Sequence, residues 1–349
     1  MDLDLSDEQQ HLRDTFDALL AKHCTIGQVR DAESTGFDPQ LWDLLCRTGL
    51  VGLAVPEPSG GAGGGLLELG LVAEACGASL APVPFVEAPV AARLLSSLAG
   101  PGPVNFDDVV SGDRLVVFAP GAWADANLAK LVPFAAVAEG VVILHQDRLV
   151  VTPPPPPLPL RPNLGAAALA DVPLGSPGSG HRVLAARDAA HRLHAEAFRE
   201  WQTLMGAALT GLAARALAVG VEYVTERHQF ARPIGSFQVV GHRLADVATE
   251  VDGARLLWQE AACALDAQDP HATVLAPMAF LFAADVAERA TSWSLHFHGG
   301  YGFMLEYDIQ MFYRRAKAWP LAVGSRRSEL QRFADGVFGT DGGRQWISG

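Results

Sequence analysis

Cysteine is scarce in this sequence of 349 residues, and its four cysteines lie far apart, at Cys24, Cys46, Cys76 and Cys263. They form no Cys-x-x-Cys pair, so the spacings typical of zinc and dithiol sites are missing. We therefore expect no metal site. We expect four free, buried thiols in a reducing compartment.

Basic residues are also few, with 26 Lys and Arg against 39 Asp and Glu, and the formal net charge is −13. Nucleic-acid binding depends on clustered Lys and Arg that face the phosphates. The charge balance thus argues against a nucleic-acid partner. It does not exclude a small anionic ligand, because a pocket can be locally basic in a protein whose net charge is negative.

Long uncharged apolar runs are absent, and none approaches the roughly 20 residues that span a bilayer. Residues 1–6 are acidic and lack the basic-then-apolar order of a signal peptide. We therefore expect a cytoplasmic protein without a membrane partner. With 49% hydrophobic and 19% charged residues, the composition is that of a compact protein, and its length fits two or three coupled domains.

Three regions differ in their sequence pattern. Residues 1–110 predict short helices broken by Gly and Pro, and Ser6 with Gln9 is typical of a helix start. Residues 111–187 contain short β-rich runs at 115–118, 141–144 and 149–151, which predict a small β domain. Residues 188–349 repeat apolar side chains every three or four positions, which predicts long helices in an antiparallel bundle. The expected fold is α+β and mostly α.

Two segments in the last region carry the chemically informative residues. Residues 226–238 contain Arg227, Phe230 and Gln238, and residues 296–303 contain Gly299 and Gly300. A basic stretch at 314–317 follows the second segment. Taken alone, the first segment is the basic end of a helix and the second is a glycine turn. Neither specifies a function by itself.

Together these segments resemble the acyl-CoA dehydrogenase family. That family has an Arg-x-x-Phe-Gly segment ending in Phe-Gln, then a Gly-Gly-x-Gly turn and an Arg-Asp-Ala-Lys helix. Residues 5–10 and 49–61 are similar to its N-terminal domain, so the resemblance covers essentially the whole chain. It implies a helical N-terminal domain, a middle β domain and a C-terminal four-helix bundle. It also implies FAD-dependent oxidation of an acyl-CoA to the 2-enoyl-CoA.

The resemblance further implies which residues contact the cofactor. In the family, the two segments hold the ADP half of an FAD that belongs to a neighbouring subunit. The matching positions here are, in chain order, Arg227, Phe230, Gln238, His296, Gly299 and Gly300. His296 stands where many members have Gln, and Ala231 replaces the usual Gly. Arg227 suits pyrophosphate, and glycines let a backbone approach a ligand closely.

The catalytic glutamate of the family has no counterpart. Its common position, six residues after Lys317, is Val323, and the position used by other members, 26 residues before Arg227, is Trp201. Neither side chain takes up a proton, so we expect no catalytic residue in this chain. A shifted alignment would make Glu200 a candidate base. We expect Glu329, beyond the lost motif, to be a solvated helix residue.

The middle region departs from the family as well. Residues 118–125 are the nearest match to the Thr-Glu-Pro-Gly-Ala-Gly-Ser-Asp stretch, with Ala119 and Trp123 replacing a carboxylate and a glycine. Groups that serve a neighbour's FAD are kept, whereas groups that serve the chain's own flavin are missing. This pattern resembles the short subunits without a base in α2β2 acyl-CoA dehydrogenases of bacterial sterol side-chain degradation. There the catalytic partner supplies the glutamate and the acyl-CoA pocket.

Three other interpretations remain open. The chain is a self-sufficient dehydrogenase if Glu200 is the base. It is a structural or regulatory subunit if the fold is kept without flavin. It is an oxygen-using flavin monooxygenase if the family fold has changed its chemistry, because such enzymes also lack the glutamate.

Overall fold

The computed structural model describes residues 4–98, 106–123, 127–153, 158–175 and 180–338, and α-helices predominate in it. The α-helices among these residues are, in chain order, α1 Asp7–His23, α2 Ile26–Asp31, α3 Pro39–Arg47, α4 Leu66–Ala78, α5 Glu87–Ser96, α6 Phe106–Ser111, α7 Asp188–Glu226, α8 Gln238–Asp266, α9 Ala272–His298, α10 Ile309–Ala318 and α11 Arg326–Phe338.

The β-strands lie mainly between α6 and α7. They are β1 Val116–Trp123, β2 Leu128–Val132, β3 Gly140–His145, β4 Arg148–Val151, β5 Ala170–Pro173, β6 Arg182–Ala186, β7 His228–Gln229 and β8 Arg232–Pro233. One sheet has the order β1-β3-β4-β6, with β1 and β3 parallel and the other pairs antiparallel. β2 pairs with β5, and β7 pairs with β8. The three predicted runs are β1, β3 and β4, so this part of the prediction is confirmed.

Local sequence explains where the first helices begin. The hydroxyl of Ser6 accepts a hydrogen bond from the Gln9 amide at 3.2 Å, and the Gln9 side chain accepts one from the Ser6 amide at 3.0 Å. This reciprocal capping satisfies two amides that an isolated helix start leaves free. At α3, the Asp38 carboxylate caps the amides of Gln40 and Leu41. Pro39 follows that cap, where its missing N–H costs nothing.

The chain divides into two compact units. One is built from the chain start to Ile26, from Gly70–Leu80 and from Gln202 onward, and the other from Gly27–Leu69 and Ala81–Trp201. The first unit contains α8 and α9, whose cross-contacts Arg243–Trp293 and Glu250–Arg289 run in opposite chain order. These two helices are therefore antiparallel. The division into three domains at residues 110 and 187 stays a prediction.

Helix α7 is unusually long and apolar. It has 39 residues, and by length and composition it is the one helix of the described residues that could cross a membrane. However, 67% of its most apolar segment is buried inside the protein. That burial is typical of a core helix.

Glycines allow helices of the first unit to pack unusually closely. A Cβ at Gly211 of α7 would overlap the backbone oxygen of Glu74, and one at Gly77 of α4 would overlap that of Ala208. Side chains at these positions would push α4 and α7 apart. Glu74, deeply buried in this contact, bonds to Arg255 at 2.8 Å and to the Trp258 indole at 3.1 Å.

Two expectations about burial are wrong. All four cysteines are free, but Cys263 is exposed and Cys46 is only half-buried. Glu329, expected in solvent, is only 3% exposed and pairs with Arg332 one turn along α11. Burial raises the pKa of Glu329, while Arg332 lowers it.

The close packing at Gly211 makes a prediction for stability. We expect Gly211→Ala to lower the free energy of unfolding by about 3 kcal/mol, because the added methyl must displace backbone. The matched control is Gly253→Ala in α8, whose Cβ would meet only Phe282 ring atoms at 3.6 and 4.0 Å. The control should be neutral or gain up to about 1 kcal/mol from helix propensity. Urea unfolding of the two variants decides, and equal effects would contradict the packing argument.

Candidate functional site

A hairpin directly after α7 presents Arg227 and Phe230. The Arg227 amide donates to the Tyr223 carbonyl at 2.8 Å, and the Arg227 carbonyl accepts from Ile234 at 2.8 Å. The two residues between β7 and β8, Phe230 and Ala231, both have positive φ, at 55° and 62°. Two such residues form the tight turn that matches strand twist, although side chains are strained there. Phe230 stands at the tip, 88% exposed.

Gln238 is the first residue of α8 and is exposed. The short 3₁₀ helix Ile234–Ser236 joins it to the hairpin. Within the described chain, the Gln238 side chain has no hydrogen-bond partner, and Arg227 makes no ion pair. Both side chains are therefore available to a ligand.

The glycine turn lies at the end of α9. Gly299 ends the helix with φ 61° and ψ −136°, a conformation that side chains oppose. A Cβ at Gly300 would meet no atom within 4 Å, so the space above it is open. His296, one turn earlier, is exposed, with its ring 5.7 Å from that of Trp293.

An aromatic stack connects the hairpin side to the glycine turn. The rings of Tyr223 and His298 lie 3.9 Å apart, His298 contacts Tyr307 at 6.0 Å, and Tyr307 stacks on Tyr301 at 5.3 Å. The Arg227 guanidinium lies 6.0 Å from the Tyr301 ring, at the limit of a cation–π contact. Sequence reasoning missed this stack, although aromatic residues on both sides of the two segments were a signal for it.

His298 is the buried member of this stack. Its Nδ1 lies 2.7 Å from the Ser294 carbonyl, which fixes a proton on that nitrogen. Burial lowers the pKa of His298. The ring is therefore a neutral packing element at pH 7.

Trp201 occupies one of the two positions that hold a base in the family it resembles, and it is fully buried. Its indole N–H donates to Glu87 of α5 at 3.2 Å. Val323, at the other position, ends the 3₁₀ helix Trp319–Val323 and is also buried. Neither side chain is chemically able to act as a base.

Glu200, the alternative base, is occupied by an ion pair. Its carboxylate accepts two hydrogen bonds from Arg93, both at 3.0 Å. Arg93 also donates to the Ala54 carbonyl, and both charged side chains are about four-fifths buried. This bidentate arrangement is a strong one. The Glu200 carboxylate is therefore engaged in a structural ion pair.

Glu87 is the unusual titratable group of this region. It is 3% exposed, and burial raises its pKa from 4.5 to about 7, while backbone hydrogen bonds and the Trp201 indole lower it in part. No sequence pattern points to this carboxyl group, because its partner Trp201 lies 114 residues away.

Comparison with known proteins identifies the family. The family model described as acyl-CoA dehydrogenase, N-terminal domain, matches residues 6–98, and the one described as acyl-CoA dehydrogenase, C-terminal domain, matches residues 192–338. The acyl-CoA dehydrogenase IpdE2 of Mycolicibacterium smegmatis is 32% identical, over 96% of this chain and 100% of that protein. The chain belongs to the acyl-CoA dehydrogenase family. Its members are FAD-binding oxidoreductases that act on acyl-CoA.

Solved structures of the family include two complexes similar to this chain. A chain of the ChsE4–ChsE5 complex from Mycobacterium tuberculosis superposes with a TM-score of 0.84, at 26% identity and full coverage of both chains. A chain of the Tcur3481–Tcur3483 steroid ACAD gives a TM-score of 0.83 at 25% identity, covering 94% of this chain and 97% of that one. The predicted family and fold class are thereby confirmed.

The buried Glu87 carboxyl predicts a pH dependence of stability. Between pH 4.5 and about 7 the folded chain keeps a proton on Glu87 that the unfolded chain has lost, so stability falls as pH rises through this window. Across the whole window, the free energy of unfolding falls by about 3 kcal/mol. Glu87→Gln keeps an acceptor for Trp201 and should remove that loss.

The measurement is urea unfolding of both proteins at pH 5 and pH 8. The fall in free energy of unfolding from pH 5 to pH 8 should be smaller in Glu87→Gln by about 2.5 kcal/mol. Identical falls in the two proteins would mean that Glu87 does not titrate in this range.

Proposed function

We propose that this chain is the non-catalytic subunit of a hetero-oligomeric acyl-CoA dehydrogenase and binds part of the FAD of its catalytic partner. Arg227, Phe230, Gln238, His296 and the glycine turn form the cofactor contact. The partner supplies the base and the acyl-CoA pocket. An α2β2 assembly is the form we expect.

The observation that carries this proposal is the open space above Gly300. Its φ is ordinary, and an added Cβ would touch nothing within 4 Å, so the chain itself has no need of glycine there. A glycine that internal packing does not explain indicates close approach from outside. Since Arg227 lies within 6.0 Å of the neighbouring Tyr301, an anionic group above the turn would meet a guanidinium.

The residues present fit the ADP half of FAD. The Arg227 guanidinium can bond both phosphates of a pyrophosphate, and the exposed Gly299 and Gly300 let a ligand approach the backbone closely. Gln238 offers both a donor and an acceptor. When bound, the flavin of FAD accepts the hydride from the β-carbon of the acyl-CoA. This chain contributes binding and orientation.

The lack of a base in this chain supports a catalytic partner. Trp201 and Val323 are buried apolar side chains, and Glu200 is ion-paired with Arg93. Proton abstraction from the α-carbon requires a free carboxylate within hydrogen-bond reach. A partner dehydrogenase that keeps its glutamate provides one.

The two similar complexes suggest the substrate class. ChsE4–ChsE5 is a complex of two differently named chains, and Tcur3481–Tcur3483 is called a steroid ACAD. We therefore propose a bulky acyl-CoA, such as a steroid side-chain ester, as the substrate of the assembly. If only the partner subunit keeps an active site, the space of the lost sites is available to such a substrate.

The assembly test is co-expression with an acyl-CoA dehydrogenase of the same organism that keeps the catalytic glutamate. Flavin absorbance and subunit ratio should give one FAD for each pair of unlike subunits, and neither chain should hold FAD alone. Stoichiometric FAD on this chain by itself would overturn the proposal. A colourless complex would favour the structural subunit without flavin.

Arg227 allows a residue-level test. We expect Arg227→Met to weaken FAD binding to the complex by about 10- to 100-fold, because charge-assisted hydrogen bonds to phosphate contribute about 1.5–3 kcal/mol. Gly300→Leu should weaken it similarly without changing the melting temperature, since its side chain enters open space. Arg192→Met, which removes an exposed arginine of α7, is the control. Equal FAD dissociation constants in all three would contradict the cofactor contact.

Glu200→Gln separates our proposal from the self-sufficient dehydrogenase. We expect the free energy of unfolding to fall by about 2 kcal/mol, because Arg93 loses its charged partner in a mostly buried setting. Turnover by the complex should be unchanged. Loss of turnover with FAD still bound and the fold intact would instead identify Glu200 as the base.

A further inference from the structure

A cleft of about 660 Å³ lies in the compact unit built from Gly27–Leu69 and Ala81–Trp201, and its volume is within the range of ligand sites. Its walls come from α3 and the loop before it, from the turn between α6 and β1, and from the residues that precede β3. We propose that this cleft binds a segment of a partner protein in which arginine or lysine residues flank apolar ones. The cofactor contact shares no residue with the cleft, so this inference is independent of the proposed function.

The floor of the cleft is apolar. Trp42 of α3 and Leu115, just before β1, are buried, and Phe37 and Val137 are half-buried beside them. These side chains come from three separate parts of the chain, so the fold brings them together around one space. An apolar side chain of a ligand would lose contact with water there, which favours its binding.

The turn between α6 and β1 packs tightly against α3. Gly112 has a φ of 82°, and a Cβ there would lie 2.3 Å from the Cys46 sulfur, so glycine is needed for this approach. Beside it, the Ser111 hydroxyl donates to the Asp113 carboxylate at 2.9 Å and accepts from the Asp113 amide at 3.3 Å. This wall of the cleft therefore has a defined shape and holds one carboxylate in a defined place.

Three carboxylates and one guanidinium surround the floor. Asp43, Asp113 and Glu139 are exposed, as is Arg47, and none of the four forms an ion pair with any residue that the structure describes. The cleft therefore carries an excess of negative charge. That excess disfavours phosphate-bearing molecules such as FAD and acyl-CoA, and it attracts cations.

The Cys46 thiol lies in the same negative field. Its pKa is raised from 9.0 to about 12, mainly by burial and then by Asp43 and Asp113, while Arg47 lowers it in part. The thiol therefore keeps its proton at pH 7, and a protonated thiol is neither a nucleophile nor a metal ligand. The chemistry of the cleft thus depends on its carboxylates and its apolar floor.

The placement of the carboxylates favours an extended ligand over a metal ion. Among the described residues, no three His, Cys, Asp or Glu side chains are placed to hold one metal ion. Asp43 stands on α3, Asp113 in the turn and Glu139 just before β3, so each belongs to a different wall. A matching ligand has separate cations joined by an apolar body. Arginine and lysine suit this role, because their long stems lie along apolar surface while the charged ends reach the rim.

The test is the binding of a fluorescein-labelled peptide, Arg-Leu-Leu-Arg, to the full chain, measured by fluorescence anisotropy. Asp43→Asn combined with Glu139→Gln should raise the dissociation constant about 5- to 10-fold, because two exposed ion pairs are lost. The matched control, Asp31→Asn combined with Asp107→Asn, removes two exposed carboxylates of the same unit outside the cleft. It should change the constant less than about 2-fold, since distant surface charges are screened. Equal weakening in the two variants would mean that net charge alone attracts the peptide, and would overturn the site.

Altered peptides test the chemistry of the occupant. Citrulline in place of arginine keeps the shape but removes the charge, and serine in place of leucine leaves the apolar floor uncovered. Each change should weaken binding about 10-fold or more. The proposal fails if the unaltered peptide does not bind, or if the serine peptide binds as tightly as the leucine peptide. If spermidine displaces the labelled peptide at a lower concentration than the unlabelled peptide does, the occupant is a polyamine and the protein partner is wrong.

Discussion

The hydrogen bond between Trp201 and Glu87 is the constraint on which the packing around α5 and the start of α7 depends. An indole buried completely in an apolar interior needs an acceptor for its N–H, and a carboxyl on α5 provides it. The cost is a carboxyl group held at a pKa of about 7 with almost no access to water. Such a group stabilises the fold best when it is neutral. Trp201, which we expect at a position that holds a base in some family members, is thus part of the core.

Local sequence patterns predicted those elements that depend on neighbouring residues. The capping pair of Ser6 and Gln9 marked the start of α1, and the β-branched runs marked β1, β3 and β4. β5 and β6 were missed because they are short and carry Asp, Pro and Ala in place of a strong alternating pattern. Short strands form by pairing with distant partners, and single-sequence patterns do not contain that information.

Tertiary burial explains the errors and the omissions at the site. Glu329 has the sequence context of a solvated helix residue, yet it lies in the interior and is neutralised by Arg332. The pairing of Arg93 with Glu200 spans 107 residues, so no spacing rule identifies it. For the cofactor contact that we propose, the motifs pointed to Arg227 and Gly300, whereas the ring stack from Tyr223 to Tyr301 is seen only in the folded chain.

The features that the chain's own packing does not explain concentrate on one side of the helical unit. Gly77 and Gly211 are glycines because backbone from a neighbouring helix would collide with a side chain. Gly300 has no such neighbour, and Phe230 and Ala231 accept a left-handed backbone at a cost of order 1–3 kcal/mol each. Phe230 then leaves its ring largely in water, 6.1 Å from the ring of Phe237. In folded proteins, residues depart from their local backbone and burial preferences mainly at functional sites, where function offsets the energetic cost. The cofactor contact and partner subunit that we propose would supply this compensation from outside the chain.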